Sequence, residues 1–121
     1  ILACGVMVSE AIDAADKLAS EGVKATVVDV HTIKPFDHVA MTIIAKRCGA
    51  IVSAEDHSII GGLGGAVAES LAANHPTPLE QVGVKDVFGM SGQPHELMEH
   101  YGLTMANIVD AAHKAISRRT A

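Results

Sequence analysis

Between Ser9 and Gly22 the apolar residues Ala11, Ala14, Ala15, Leu18 and Ala19 recur three and four positions apart, the spacing of a helix with one buried face. Ser9 is placed to cap this helix and Gly22 to stop it. The preceding run Ile1–Val8 is continuously apolar and ends at small residues, which predicts a buried strand. "KATVVDV", Lys24 to Val30, is β-branched and predicts a second strand. "HTIKPFD" turns around Pro35, Val39–Cys48 reads as a second helix, and Ala50–Ala54 as a third strand. Val67, Ala68, Leu71 and Ala72 mark a helix over Gly64–Ala73, which "HPTP" ends. Leu79–Val84 predicts a fourth strand. Pro94 opens a short helix to His100, and Thr104 caps a last helix with Met105, Ile108, Ala112, Ala115 and Ile116 facing inward.

Strands that alternate with helices predict a mainly parallel sheet covered on both faces, a three-layer α/β/α domain. Residues 1–121 suffice for one such domain, with short loops and no internal repeat. Hydrophobic residues make up 49% of the chain but aromatic ones only 2%, so Val, Ile, Leu, Ala and Met must fill the core. The net charge of −5, and only one Arg pair (Arg118 and Arg119) at a predicted helix end, argue against a nucleic-acid surface. Cys4 and Cys48 lie in apolar contexts without metal or redox spacing, as expected of thiols in a reducing compartment. No apolar run has the length of a membrane span, so a cytoplasmic location is expected. The opening "ILACGVMVSEA" starts inside a strand pattern, which we expect of a fragment of a longer chain.

Candidate chemistry concentrates in "EDHSIIGGLGG", Glu55 to Gly65. Glu55, Asp56 and His57 are placed in a loop just beyond a parallel strand, the edge where open α/β sheets gather ligands. A carboxylate beside an imidazole fits it for proton transfer, yet three polar residues also suit a solvated or subunit-facing loop. Gly61, Gly62, Gly64 and Gly65 permit either a tight strand-to-helix turn or an anion site on free helix amides. They match neither the dinucleotide nor the phosphate-loop fingerprint.

"HELMEH", His95 to His100, departs from the zinc motif HExxH, because Glu99 stands in place of the second histidine and His100 is displaced by ~100° around a helix. "GMSGQ" lacks the last glycine of a nucleophile elbow, so Ser91 belongs to a turn. His31 follows a strand and could approach a ligand edge; His38, His75 and His113 read as surface or capping positions. No complete catalytic set and no metal set emerges, as expected of a domain serving a larger enzyme.

Three ordered stretches carry a family resemblance: "ILACGVMVSEAIDAADKLASEGVKATVVDVHTIKPFD", "VSAEDHSIIGGLGGAVAESLA" and "GMSGQPHELMEHYGLTMANIVDAAHKAI". Together they resemble the C-terminal domain of transketolase, above all its separately encoded form, with "HTIKPFD" and "EDHSIIGGLG" the most specific parts. The 1-deoxyxylulose-5-phosphate synthases and 2-oxo-acid dehydrogenase β subunits are related alternatives, and a stand-alone small-anion-binding module is another. The resemblance implies part of a cytoplasmic homodimeric transferase of the pentose phosphate pathway. Such enzymes move two-carbon ketol units between sugar phosphates with thiamine diphosphate and a divalent metal (Mg or Ca). The cofactor lies between two other domains, and the metal motif of the diphosphate domain, GDG followed by Asn, is absent from this sequence. The resemblance therefore implies no catalytic or cofactor-binding residue here and partners that carry the thiamine-binding domains. Glu55, Asp56 and His57 would then face a neighbouring domain or subunit. The resemblance further implies a fifth strand upstream of Ile1, and a first strand lying between the second and the third.

Overall fold

The structure is a computed structural model that describes residues 1–119. Its elements run β1 (Leu2–Ala3), α1 (Met7–Ser20), β2 (Val28–Asp29), α2 (His38–Cys48), β3 (Ile51–Ser58), α3 (Leu63–Asn74), β4 (Leu79–Val84), α4 (Pro94–His100) and α5 (Met105–Ser117). The strands form one parallel sheet in the order β2-β1-β3-β4. The first strand thus sits between the second and third, as the resemblance implies.

Successive strand residues point to opposite faces, and Leu2–Ala3 and Ile51–Val52 divide in that way. Ala3 and Val52 join Met7, Ala11, Ala14 and Leu18 of α1 and Ile108, Ala112 and Ala115 of α5 in one core. Leu2 and Ile51 join Met41 and Ala45 of α2 and Leu63, Val67 and Leu71 of α3 in the other. These two cores make the three layers. Polar anchors fix the outer pair of helices to each other. Glu10 of α1 accepts from the Met105 amide at 2.6 Å, where the positive end of the α5 dipole favours a carboxylate. At their other ends Glu21 lies 2.8 Å from His113 Nε2 and 3.1 Å from Lys17. The bonded Lys17 ammonium, then His113, holds the Glu21 carboxyl below its usual range.

The chain departs from its periodicity in four places. The apolar run Ile1–Val8 is not one strand: β1 ends at Ala3, Gly5 turns at φ 57°, and Met7 and Val8 already belong to α1. A short apolar run is compatible with either element, and burial of Met7 beside α5 decides for helix. Ser9 therefore lies inside α1, donating to the Val6 carbonyl at 2.9 Å, and Val6 takes the cap position. In "KATVVDV" only Val28–Asp29 enter the ladder. Finally, β3 continues past Ala54 to Ser58, because β4 runs far enough beside it to pair Ser58 with Val84 across an irregular register.

Candidate functional site

The longer β3 changes the surroundings of Glu55. It stands in the middle of the strand, not in a loop, and is 1% exposed. Its carboxylate reaches across to the start of α3. Oε2 accepts from the Leu63 amide at 2.8 Å and Oε1 from the Gly64 amide at 2.9 Å. Amides in a first helical turn have no partner within the helix and carry the positive end of its dipole. Glu55 thus supplies, from within the chain, the anion that such a turn attracts.

The glycines make room for it. A Cβ on Gly62 would stand 2.1 Å from Glu55 Oε2 and 2.9 Å from the Ser58 carbonyl oxygen. On Gly64 it would stand 2.8 Å from the Gln81 side chain and 2.9 Å from Ser53 Oγ. Gly61 turns the chain at φ 75°. At Gly65 nothing lies within 4 Å of the added carbon, so space does not require glycine there. Three further residues complete the seat. Gly83 of β4 lies beneath Glu55, where a Cβ would meet Glu55 Cγ at 3.2 Å. Gln81 and Ser53 line the underside, the Ser53 hydroxyl buried and without a hydrogen-bond partner among the described residues. A glycine inside a strand, as in "EQVGV", was the one signal in the sequence for this close approach.

Asp56 and His57 likewise belong to β3 rather than to a loop, because pairing with β4 extends the strand to Ser58, but both are exposed. His57 Nε2 lies 3.2 Å from Asp56 Oδ1, while Nδ1 is 3.7 Å from Glu55 Oε2. The ring is 63% exposed and Asp56 36%. At the end of neighbouring β1, Cys4 shares this acidic edge. Burial pushes its thiol up, and the Glu55, Asp56 and Asp29 carboxylates add to that.

The other candidates stand apart. His31 lines a groove of about 220 Å³ with Asp29, Phe36 and Asp37, and its Nδ1 is 2.6 Å from Thr32 Oγ1. His38 is more than a surface residue, since its Nδ1 is 2.9 Å from buried Ser70 Oγ and ties α2 to α3. His75 caps α3. "HELMEH" forms the exposed α4, where Glu96 closes a capping box with Gln93. Ser91 lies in the exposed loop between β4 and α4, two residues before the N-cap Gln93. Among the described residues no three His, Cys, Asp or Glu side chains are grouped to hold a metal ion.

The family model for the transketolase C-terminal domain matches residues 1–108. The chain belongs to that family. It is 51% identical over 119 residues to the 6-deoxy-6-sulfo-D-fructose transketolase subunit SqwH of Clostridium sp. (strain MSTE9), covering 98% of this chain and 37% of that subunit. To the putative transketolase C-terminal section of Methanocaldococcus jannaschii it is 48% identical over 104 residues, 85% of this chain and 32% of that protein. A solved split-gene transketolase, described as an inactive β4 tetramer, superposes with a TM-score of 0.95 at 46% identity, over 98% of this chain and 39% of that one. The chain thus spans between 32% and 39% of the length of these relatives.

The residues present do not fit a thiamine diphosphate site. A diphosphate would seek the amides at the start of the glycine-turn helix, and those of Leu63 and Gly64 are donated to Glu55. The neighbouring Asp56 and Asp29 add negative charge to the same edge.

Proposed function

We propose that this chain is the assembly domain of a transketolase that moves two-carbon ketol units between sugar phosphates. The observation that carries this reading is the filled carboxyl edge. Glu55 occupies the amides an external anion would take, which leaves Asp56 and His57 as a polar surface for a neighbouring domain or subunit. Thiamine diphosphate and its divalent metal belong to that neighbour, and the parent enzyme works as a homodimer in the cytoplasm. The relatives, which include a subunit named for a sulfo-sugar transketolase, support a sugar substrate in or beside pentose phosphate metabolism. Among the described residues no helix is long and apolar enough to cross a membrane.

The test pairs the chain with the thiamine-binding section of a split transketolase. Alone, the chain gives no calorimetric heat with thiamine diphosphate and Mg²⁺ and no ketol transfer. Together the two restore transfer, and His57→Ala lowers the affinity of the pair about tenfold, the loss of roughly one interfacial charged contact. Micromolar binding of thiamine diphosphate by the chain alone would overturn the reading.

A further inference from the structure

A cavity of about 460 Å³ opens at the amino end of the sheet, opposite the edge that holds Glu55. Ile44 and Cys48 of α2 line one side of it, and Ala112 and Ile116 of α5 the other. Those two helices cover opposite faces of the sheet, so the cavity passes through the plane of the sheet itself. Its remaining walls include residues 24–26, which lead into β2, and residues 50–52 at the start of β3. Only β1 runs between β2 and β3. The gap therefore lies in line with β1 and is one strand wide.

The ladder fixes what the gap can hold. The Ile1 nitrogen donates to the Thr26 carbonyl at 2.7 Å, and the Ile1 carbonyl accepts from the Val28 amide at 2.9 Å. On the other side Leu2 is paired with Ser53, and the Cys4 amide donates to the Ala54 carbonyl at 3.2 Å. Successive residues of a central parallel strand bond alternately to its two neighbours. One step back from Ile1, the register thus turns the Val52 amide and the Ala50 carbonyl into the gap. Two steps back it turns in the Thr26 amide and the Lys24 carbonyl. Val52 is buried, and a buried amide left unpaired is costly. Side chains alternate in the same way. The first position back shares the face of Leu2, toward Ile44 and Cys48; the second shares the face of Ala3, toward α5.

Charge narrows the occupant further. In a chain of net charge −5, the charged side chains lining this cavity are Lys24, Arg47 and Arg119, all cationic. None of the three is in an ion pair among the described residues. Walls of low dielectric strengthen their field. The relatives supply the source, since this chain spans only 32% to 39% of their length.

We propose that this slot receives a short extended segment of the larger protein, in line with β1 and parallel to it, apolar toward α2 and acidic at its outer end. Four forms of the chain test it: as it stands, and with Glu-Val, Lys-Val or Gly-Gly joined ahead of Ile1. Glu-Val is expected to slow hydrogen exchange of the Val52 amide about tenfold, the worth of one backbone hydrogen bond. It should also raise the thermal midpoint by about 4 °C. Lys-Val should raise the midpoint less, and Gly-Gly least. A Val52 amide that exchanges equally fast with and without Glu-Val overturns the strand, whatever the midpoint does. An equal gain from Gly-Gly overturns the apolar seat, and an equal gain from Lys-Val overturns the acidic end. None of these results bears on whether the chain binds thiamine diphosphate, so the assembly function stands or falls separately.

Discussion

The carboxyl edge of the sheet holds two neighbouring regions that invert the ordinary rule of burial. Midway along β3 a carboxylate, Glu55, is buried; in the loop after β4, Phe88 is fully exposed. The first region is complete in itself. Both carboxylate oxygens receive a backbone amide, and Gly62 and Gly83 leave the space the side chain needs. Burying a charge is costly unless it is hydrogen-bonded, and here a helix start supplies the bonds. The second region has its backbone tied down but its apolar surface unburied. Partners inside the chain satisfy Glu55, whereas nothing among the described residues covers Phe88. The same edge thus holds a carboxylate satisfied within the chain and apolar side chains left exposed.

The contrast can be broken most sharply at Gly62. Gly62→Ala drives a methyl into Glu55 and the Ser58 carbonyl. It is expected to destabilise the domain by about 3–5 kcal/mol, overpacking added to displaced amide bonds. Urea unfolding measures it, and a loss under ~1 kcal/mol would mean the carboxylate is not wedged there. Glu55→Gln keeps the shape but points one NH₂ group at a backbone amide, and about 2 kcal/mol should be lost in the same experiment. Gly65→Ala, by contrast, meets open space and should change stability by no more than ~1 kcal/mol, on the stabilising side from helix propensity.

At Cys4 the comparison is read through rate. With its thiol pushed up by burial and the nearby carboxylates, Cys4 should alkylate more slowly at neutral pH than a free cysteine, because only the thiolate reacts. Asp56→Asn removes one of those charges and should quicken the reaction a few-fold, as followed by peptide mass spectrometry. An unchanged rate would detach Cys4 from the acidic edge. The smallest expected effect belongs to the exposed region. Phe88→Asp should leave the unfolding free energy of the monomer within ~0.5 kcal/mol, since the ring touches no core. A larger loss would show that the loop packs on its own domain.

Periodicity was a sound guide wherever a helix shows one apolar stripe to the sheet. Of the residues expected inward, Ala11, Ala14 and Leu18 of α1 and Ile108, Ala112 and Ala115 of α5 are buried, Ala15, Met105 and Ile116 are half-buried and Ala19 is exposed, while Thr104, Gly22 and Pro94 mark helix ends. It failed where neighbouring elements decide. Ile1–Val8 reads equally as strand or helix, and packing against α5 split it. The end of β3 is polar in sequence, yet β4 extends it by pairing Ser58 with Val84. For the site, the sequence named Glu55, Asp56, His57 and the glycines together but gave all three polar residues one environment. In the structure the buried carboxylate separates from the exposed pair. Gly83, Gln81 and Ser53, whose importance depends on a contact across strands, were not singled out.

What the sequence determined by itself is therefore the layered α/β/α architecture and the family, since both follow from local periodicity and from motifs read in order. Only the tertiary structure decided that the helix amides behind the glycine turn are already taken. That depends on a strand residue meeting a helix start eight and nine positions later, a distance in space that no spacing along the chain specifies. It also decided that Phe88 is held outward rather than folded in, because the bonds that pin its loop come from Tyr101 and the start of α4.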